Sequence, residues 1–151
     1  MVIFVQNICD EMELHIQTDC RNIDWEVVSQ TLRQVGMAWW EAGKEESIFK
    51  ASQAVVFIFE GEKLIGFGSA ISDRLIQAAL YDVAVVPEYQ KRGIGRVIIE
   101  NLCHQLPGCN IILYAAPGKE TFYRKLGFSR MLTGMALFTD ARSKRERGFT
   151  D

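Results

Sequence analysis

The sequence predicts an α/β fold of the α+β type: one domain with a mixed, mainly antiparallel sheet, flanking helices and a single βαβ crossover. Three observations carry this. Strand and helix patterns follow in the order β-α-α-β-β-β-α-β-α-β. A glycine turn, Glu60-Gly61-Glu62-Lys63, joins two of the strands as a hairpin, which pairs them antiparallel. One strong strand, ending at Pro87, is then separated from the next by a helix, as in a parallel crossover.

The elements justify themselves in turn. "EMELHIQ" (11–17) alternates apolar and polar residues at period two, as a half-buried strand does. In "NIDWEVVSQTLRQVG", Asn22 or Asp24 can cap a helix that carries Trp25, Val28, Leu32 and Val35 on one face and stops at Gly36. A second helix covers part of 40–51. "AVVFIFEGEKLIGFGSAIS" holds the hairpin, and "AALYDVAVVP" is a third strong strand that Pro87 cannot continue. Ile94, Val97, Ile98, Leu102 and Leu106 recur at helical spacing until Pro107-Gly108. "NIILYAA" reads as a strand, "GKETFYRKLGF" as a short helix ending at Gly127, and "MLTGMALF" as a final strand. The domain is assigned to 1–139. Residues 140–151 are a charged, frayed tail.

Composition narrows the classes of function. A chain of 151 residues, 48% apolar and 24% charged, suits one soluble globular domain. A net charge of -2 argues against nucleic acid or an anionic membrane as the main partner. No apolar run approaches the ~20 residues of a spanning helix. "MVIFVQ" lacks the basic lead and cleavage pattern of a signal peptide, so a cytoplasmic setting is expected. Cys9, Cys20, Cys103 and Cys109 read as free thiols. With His15 and His104 they form no zinc spacing, and no metal is expected.

The junction "VVPEYQKRGIGRVI" (85–98) carries the first chemical signal. A helix N-terminus offers unpaired N–H groups and partial positive charge to a phosphate. Gly93 and Gly95 keep side chains out of its way, and Lys91, Arg92 and Arg96 add cations. Neither a Walker loop nor a Rossmann fingerprint fits this spacing. Read without other signals, the glycines equally suit a plain strand-to-helix turn.

Val85 to Gly95 resembles the acetyl-CoA-binding signature of the GNAT N-acetyltransferase superfamily, Gln/Arg-x-x-Gly-x-Gly/Ala after a strand. Phe122-Tyr123-Arg124-Lys125-Leu126-Gly127-Phe128 resembles its second landmark, Phe-Tyr-x-Lys-x-Gly-Phe. The resemblance spans roughly 54–138. It implies that the pyrophosphate sits on Gln90, Lys91, Arg92, Gly93, Ile94 and Gly95, with Arg96 opening the helix. It further implies that the pantetheine arm pairs with Val83, Ala84 and Val85 where two strands splay, and that Tyr123 lies near the thioester sulfur. Many members carry an Asn and an Ala where this chain has Ala116 and Lys119.

The chemistry adds roles. A primary amine with pKa near roughly 10.4 is neutral in only about one molecule in a thousand at neutral pH, so a base is needed. Tyr123, a phenol of pKa about 10, suits a general acid for the departing thiolate; its alternative is a ring packed into the core. Asp82 is the only acid between Asp73 and Glu88 and is the candidate base, although strict alternation faces it away from Tyr81 unless a bulge intervenes. A water chain or a purely structural Asp82 stays open. Trp40 and Tyr81 are candidate acceptor-pocket residues. The Trp39-Trp40 pair is either a cation-binding wall or part core and part spacer, and Glu45 and Glu46 either attract an amine or serve the helix dipole.

The reading is an acetyl-CoA-dependent N-acetyltransferase acting on a primary amine, small molecule or peptide, by direct attack in a ternary complex. The alternative is a non-catalytic acyl-CoA-binding sensor or assembly module. A homodimer is compatible with either, but no residue fixes its surface.

Overall fold

The computed structural model describes residues 1–7 and 10–151, with 2–7 and 10–11 given by backbone alone. Cys9 lies outside the described residues, and Cys20, Cys103 and Cys109 are free thiols. The chain divides into two compact units, Met1–Leu113 and Tyr114–Asp151.

The first unit is built on one sheet with strands in the order β1 (Val2–Asn7), β2 (Asp10–Gln17), β3 (Ala54–Glu60), β4 (Lys63–Ser72), β5 (Gln77–Val85) and β6 (Asn110–Ile112). Neighbours are antiparallel from β1 to β5, and β5–β6 is parallel. The expected class, mixed, mainly antiparallel and with one crossover, is the one observed. Strand β1 is an addition: its short apolar run pairs with β2 from Val2↔His15 to Asn7↔Asp10.

Helices α1 (Trp25–Gln34) and α2 (Ala42–Ala51) cover one face. Asp24 caps α1, its carboxylate accepting from the N–H of Glu26 and Val27 at 3.1 and 3.4 Å. Phe49 of α2, Phe57 of β3 and Phe67 of β4 are fully buried and meet ring to ring at 5.5–5.8 Å. Each such ring contributes about 1.5–3 kcal/mol by burial. Helix α3 (Ile94–His104), the crossover between β5 and β6, covers the other face through Ile94, Ile98 and Leu102.

Two glycines of β4 make that second contact close. A Cβ on Gly66 would lie 3.0 Å from both Ile94 Cγ2 and Ile98 Cδ1. One on Gly68 would lie 2.8 Å from Ile98 Cγ2, 3.1 Å from Leu102 Cδ1 and 3.2 Å from Val83 Cγ2. The helix therefore rests almost on the sheet backbone, which fixes where its N-terminus falls.

The second unit corrects two expectations. Residues 131–138 join no ladder among the described residues, and Met131, Leu132, Met135 and Leu137 are exposed. Strand-like composition is local, whereas a strand needs a partner. The tail is not frayed throughout. Residues Ala141–Glu146 form a helix, α5, whose Lys144 is buried among the rings of Tyr114, Phe138 and Phe149 at 5.7, 5.1 and 4.6 Å. Cation–π attraction and burial of the lysine stem hold it there. No helix of the described residues is long and apolar enough to cross a membrane.

Gly68→Ala is expected to destabilise the protein by about 1–3 kcal/mol, since the new methyl meets stiff, buried Ile98. Gly43→Ala, with nothing within 4 Å and on helix α2, is expected to be neutral or stabilising by up to about 1 kcal/mol. Urea unfolding of both variants tests the contrast.

Candidate active site

The junction after β5 forms an anion-binding shape. Strand β5 ends at Val85, a short 3-10 turn covers Pro87–Tyr89, and α3 begins at Ile94. Lys91 and Gly93 have φ of +62° and +85°, with Arg92 between them, so the backbone alternates hand and turns successive N–H groups inward. Gly93 is the N-cap and supplies no capping side chain, and the first intrahelical bond comes from Val97 N–H to Gly93 C=O at 3.2 Å. The amides of Ile94, Gly95 and Arg96 thus open the helix unshielded, the arrangement that holds phosphate.

Side chains around the loop are held in place. Tyr89 donates its phenol proton to Glu60 Oε2 at 2.5 Å, and its ring lies under Arg92 at 5.3 Å and Lys63 at 4.9 Å. Arg96 pairs with Glu100 at 2.7 Å. Gln90 Nε2 donates to the Val85 carbonyl at 3.2 Å, so this side chain caps the end of β5 while its backbone enters the loop.

Strand β5 also separates from its parallel neighbour. The β5–β6 ladder runs from Gln77↔Asn110 to Ala79↔Ile112 and has no further pair among the described residues, while β5 continues through Val83, Ala84 and Val85. The residues present therefore fit an elongated thioester arm along β5 with its phosphates on the loop.

On its other edge β5 is bulged. Ser69 faces Tyr81 and Phe67 faces Ala84, so Asp82 and Val83 together oppose Gly68. Asp82 takes φ +53°, a left-handed conformation that Asp tolerates better than most residues. Val83 packs toward the α3 face, beside Gly68. Across the bulge Tyr81 and Ala84 fall on one face, that of Phe67 and Ser69, so the period-two alternation is broken at Asp82 and Val83.

Burial pushes the Asp82 carboxyl above its ordinary value. Glu45, 1% exposed, is also raised, first by burial and further by the Asp82 charge, against the bond from Trp40 that lowers it. Glu45 Oε1 accepts the Trp40 N–H at 2.7 Å, and buried Ser29 donates its hydroxyl to the Trp40 carbonyl at 2.5 Å. Glu45, which the sequence offers as an acid that either attracts an amine or serves the helix dipole, is instead buried on the Trp40 backbone, and no motif in the sequence marks Ser29. Their only signal was position, one on each helix of the pair that flanks the Trp39-Trp40 segment.

Tyr123 belongs to the second unit, on α4 (Glu120–Lys125). Phe128 N–H bonds to Tyr123 C=O at 3.1 Å and Gly127 N–H to Arg124 C=O at 3.0 Å, with Gly127 at φ +92°. This is a Schellman C-cap, and its apolar contact is the Phe128 ring against Tyr123 at 5.9 Å. Phe122 stacks edge-on at 5.0 Å. Burial raises the Tyr123 phenol, so it stays protonated at neutral pH. Lys119 is the N-cap of the same helix and makes no side-chain cap bond. The described residues hold no group of three or more His, Cys, Asp or Glu able to bind a metal ion.

Comparison with known proteins identifies the family of the chain. A family model described as an acetyltransferase (GNAT) domain matches residues 51–130. The chain is 30% identical over 137 residues to an uncharacterized N-acetyltransferase, ycf52, of Pyropia yezoensis, over 84% of this chain and 78% of that protein. It is 31% identical over 137 residues to GCN5-related N-acetyltransferase 1, chloroplastic, of Arabidopsis thaliana, over 85% and 68%. In fold it resembles the solved GNAT-family acetyltransferase SP0256 of Streptococcus pneumoniae, with TM-score 0.70 and 20% identity, over 84% of this chain and 98% of that one.

The raised Asp82 carboxyl has a consequence for stability. In the folded state it binds its proton more tightly than when unfolded, so stability falls as pH rises from the unfolded to the folded pKa, and the cost is fully present above both. Asp82→Asn, which also suits φ +53°, is expected to raise the urea midpoint at about pH 7 and to bring little gain once the pH lies below the ordinary carboxylate value. Equal gains across the range would contradict the desolvation account.

Proposed function

Because the chain belongs to the GNAT acetyltransferase superfamily, we propose that it transfers acetyl from acetyl-CoA to a primary amine, a small molecule in preference to a peptide, by direct attack in a ternary complex. The observation that carries this reading is the left-handed loop at Lys91 and Gly93, which opens α3 just after the strand whose β6 ladder has ended.

Bound acetyl-CoA supplies an acetyl group activated as a thioester. The amides of Ile94, Gly95 and Arg96, with Lys91 and Arg92, hold phosphate charge at the α3 terminus. The backbone of Val83, Ala84 and Val85 takes the extended arm as a further strand would. Asp82, at the bulge next to Tyr81, accepts the amine proton directly or through water. Its raised pKa makes it a stronger base than a solvated carboxylate. Tyr123 keeps its proton at neutral pH and gives it to the departing thiolate. Cys20, Cys103 and Cys109, free thiols among the described residues, suit the reducing cytoplasm proposed as its setting.

Gly93→Val, forced into φ +85°, is expected to weaken acetyl-CoA binding at least about tenfold by calorimetry. Tyr123→Phe is expected to keep that binding and lower kcat by about 10²-fold in thiol-release assays across an amine panel. Binding without turnover on any amine would favour a non-catalytic acyl-CoA-binding module. Unchanged binding in the Gly93 variant would remove the loop from the site.

A further inference from the structure

We propose that the indole face of Trp40 is the binding surface for a cationic ammonium group of the acceptor, and that Lys44 is its built-in competitor. The proposal rests on the acetyltransferase reading and names the acceptor's chemistry.

Trp40 is 47% exposed, yet its backbone is pinned on both sides by side chains that are almost wholly buried. Glu45, at 1% exposure, accepts its N–H, and Ser29, at 5%, donates to its C=O. Burying a carboxylate costs stability unless it is well bonded. An exposed tryptophan that only filled surface would need no such anchoring. The two bonds instead fix the backbone from which the ring projects, as the support of a recognition surface does.

The ring already displays the preference in question. Lys44 Nζ lies 3.2 Å from the Trp40 ring centroid, where the indole quadrupole attracts an ammonium. Its neighbour Trp39, 44% exposed, takes the Arg33 guanidinium at 5.0 Å in the same manner. Lys44 is tethered on α2, one residue before Glu45, so it stays close when displaced. An acceptor whose ammonium takes the place of Lys44 Nζ on Trp40 keeps that charge on the ring while a second amine of the same molecule reacts.

The test uses tetramethylammonium, which binds aromatic faces and cannot be acetylated. Its methyl-proton NMR signal is titrated with the full chain, sodium chloride serving as the ionic-strength control. Saturable binding is expected, tightened about threefold by Lys44→Met and lost in Trp40→Leu and in the double variant. Binding equally tightened by Lys44→Met with Trp40 replaced would reduce the effect to plain charge and overturn the proposal. So would absence of saturable binding in folded protein. Acetyl-CoA calorimetry on the same samples separates the two readings. Retained acetyl-CoA affinity without ammonium binding defeats this inference alone, whereas loss of both defeats the function on which it rests.

Discussion

The close approach of α3 to β4 at Gly68 is the constraint from which the site's geometry follows. With no side chain there, Ile98 and Leu102 settle from one direction and Val83 from another into a space that a single methyl would take. The first contact sets the depth of α3 and so the place where its N-terminal amides emerge. The second accommodates the extra residue of β5, because Gly68 is the position that Asp82 and Val83 jointly oppose. The glycine loop and the Asp82 bulge are thus both referred to the same small gap in β4. Interiors packed to crystal density transmit such a restriction with little loss.

Electrostatics in the first unit works against stability at two carboxylates, Glu45 and Asp82, whose surroundings penalise their charge. Glu45 is compensated by a backbone N–H, while burial raises Asp82. Perturbed groups of this kind concentrate at functional sites, where a strained ground state is retained for reactivity. The hydrophobic cluster of Phe49, Phe57 and Phe67 under α1 and α2 offsets that cost with ordinary burial.

Much of this was legible from sequence because it is periodic or punctuated. The hairpin around Gly61, the strand stopped by Pro87 and the helix opened at Gly93 and Gly95 follow from spacing and turn residues alone, as does the motif whose Gly127 closes α4. What was not legible depends on partners distant in sequence. Residues 131–138 have the composition of a strand but no ladder among the described residues. The tail has the composition of a solvated run, yet Lys144 finds three rings. A bulge leaves no mark on alternation, so the break at Asp82 became visible only through the pairing of β5 with β4. Glu45 looked like any acid near a helix start until its burial showed what it holds.

The left-handed backbone at Asp82 shapes how this scaffold drifts over evolutionary time. Aspartate, asparagine and glycine are the residues that such a conformation admits with least strain. Aspartate codons differ from those of asparagine at the first base and from those of glycine at the second. A single nucleotide change therefore exchanges the carboxylate for an amide or for nothing, and leaves the bulge, the loop and the packing around Gly68 in place. Glutamate, the other carboxylate, lacks the short side chain that eases this backbone, so exchanging one acid for the other strains it. On the proposed reading, in which Asp82 is the base, that base is one nucleotide change from loss while the backbone that carries it is kept.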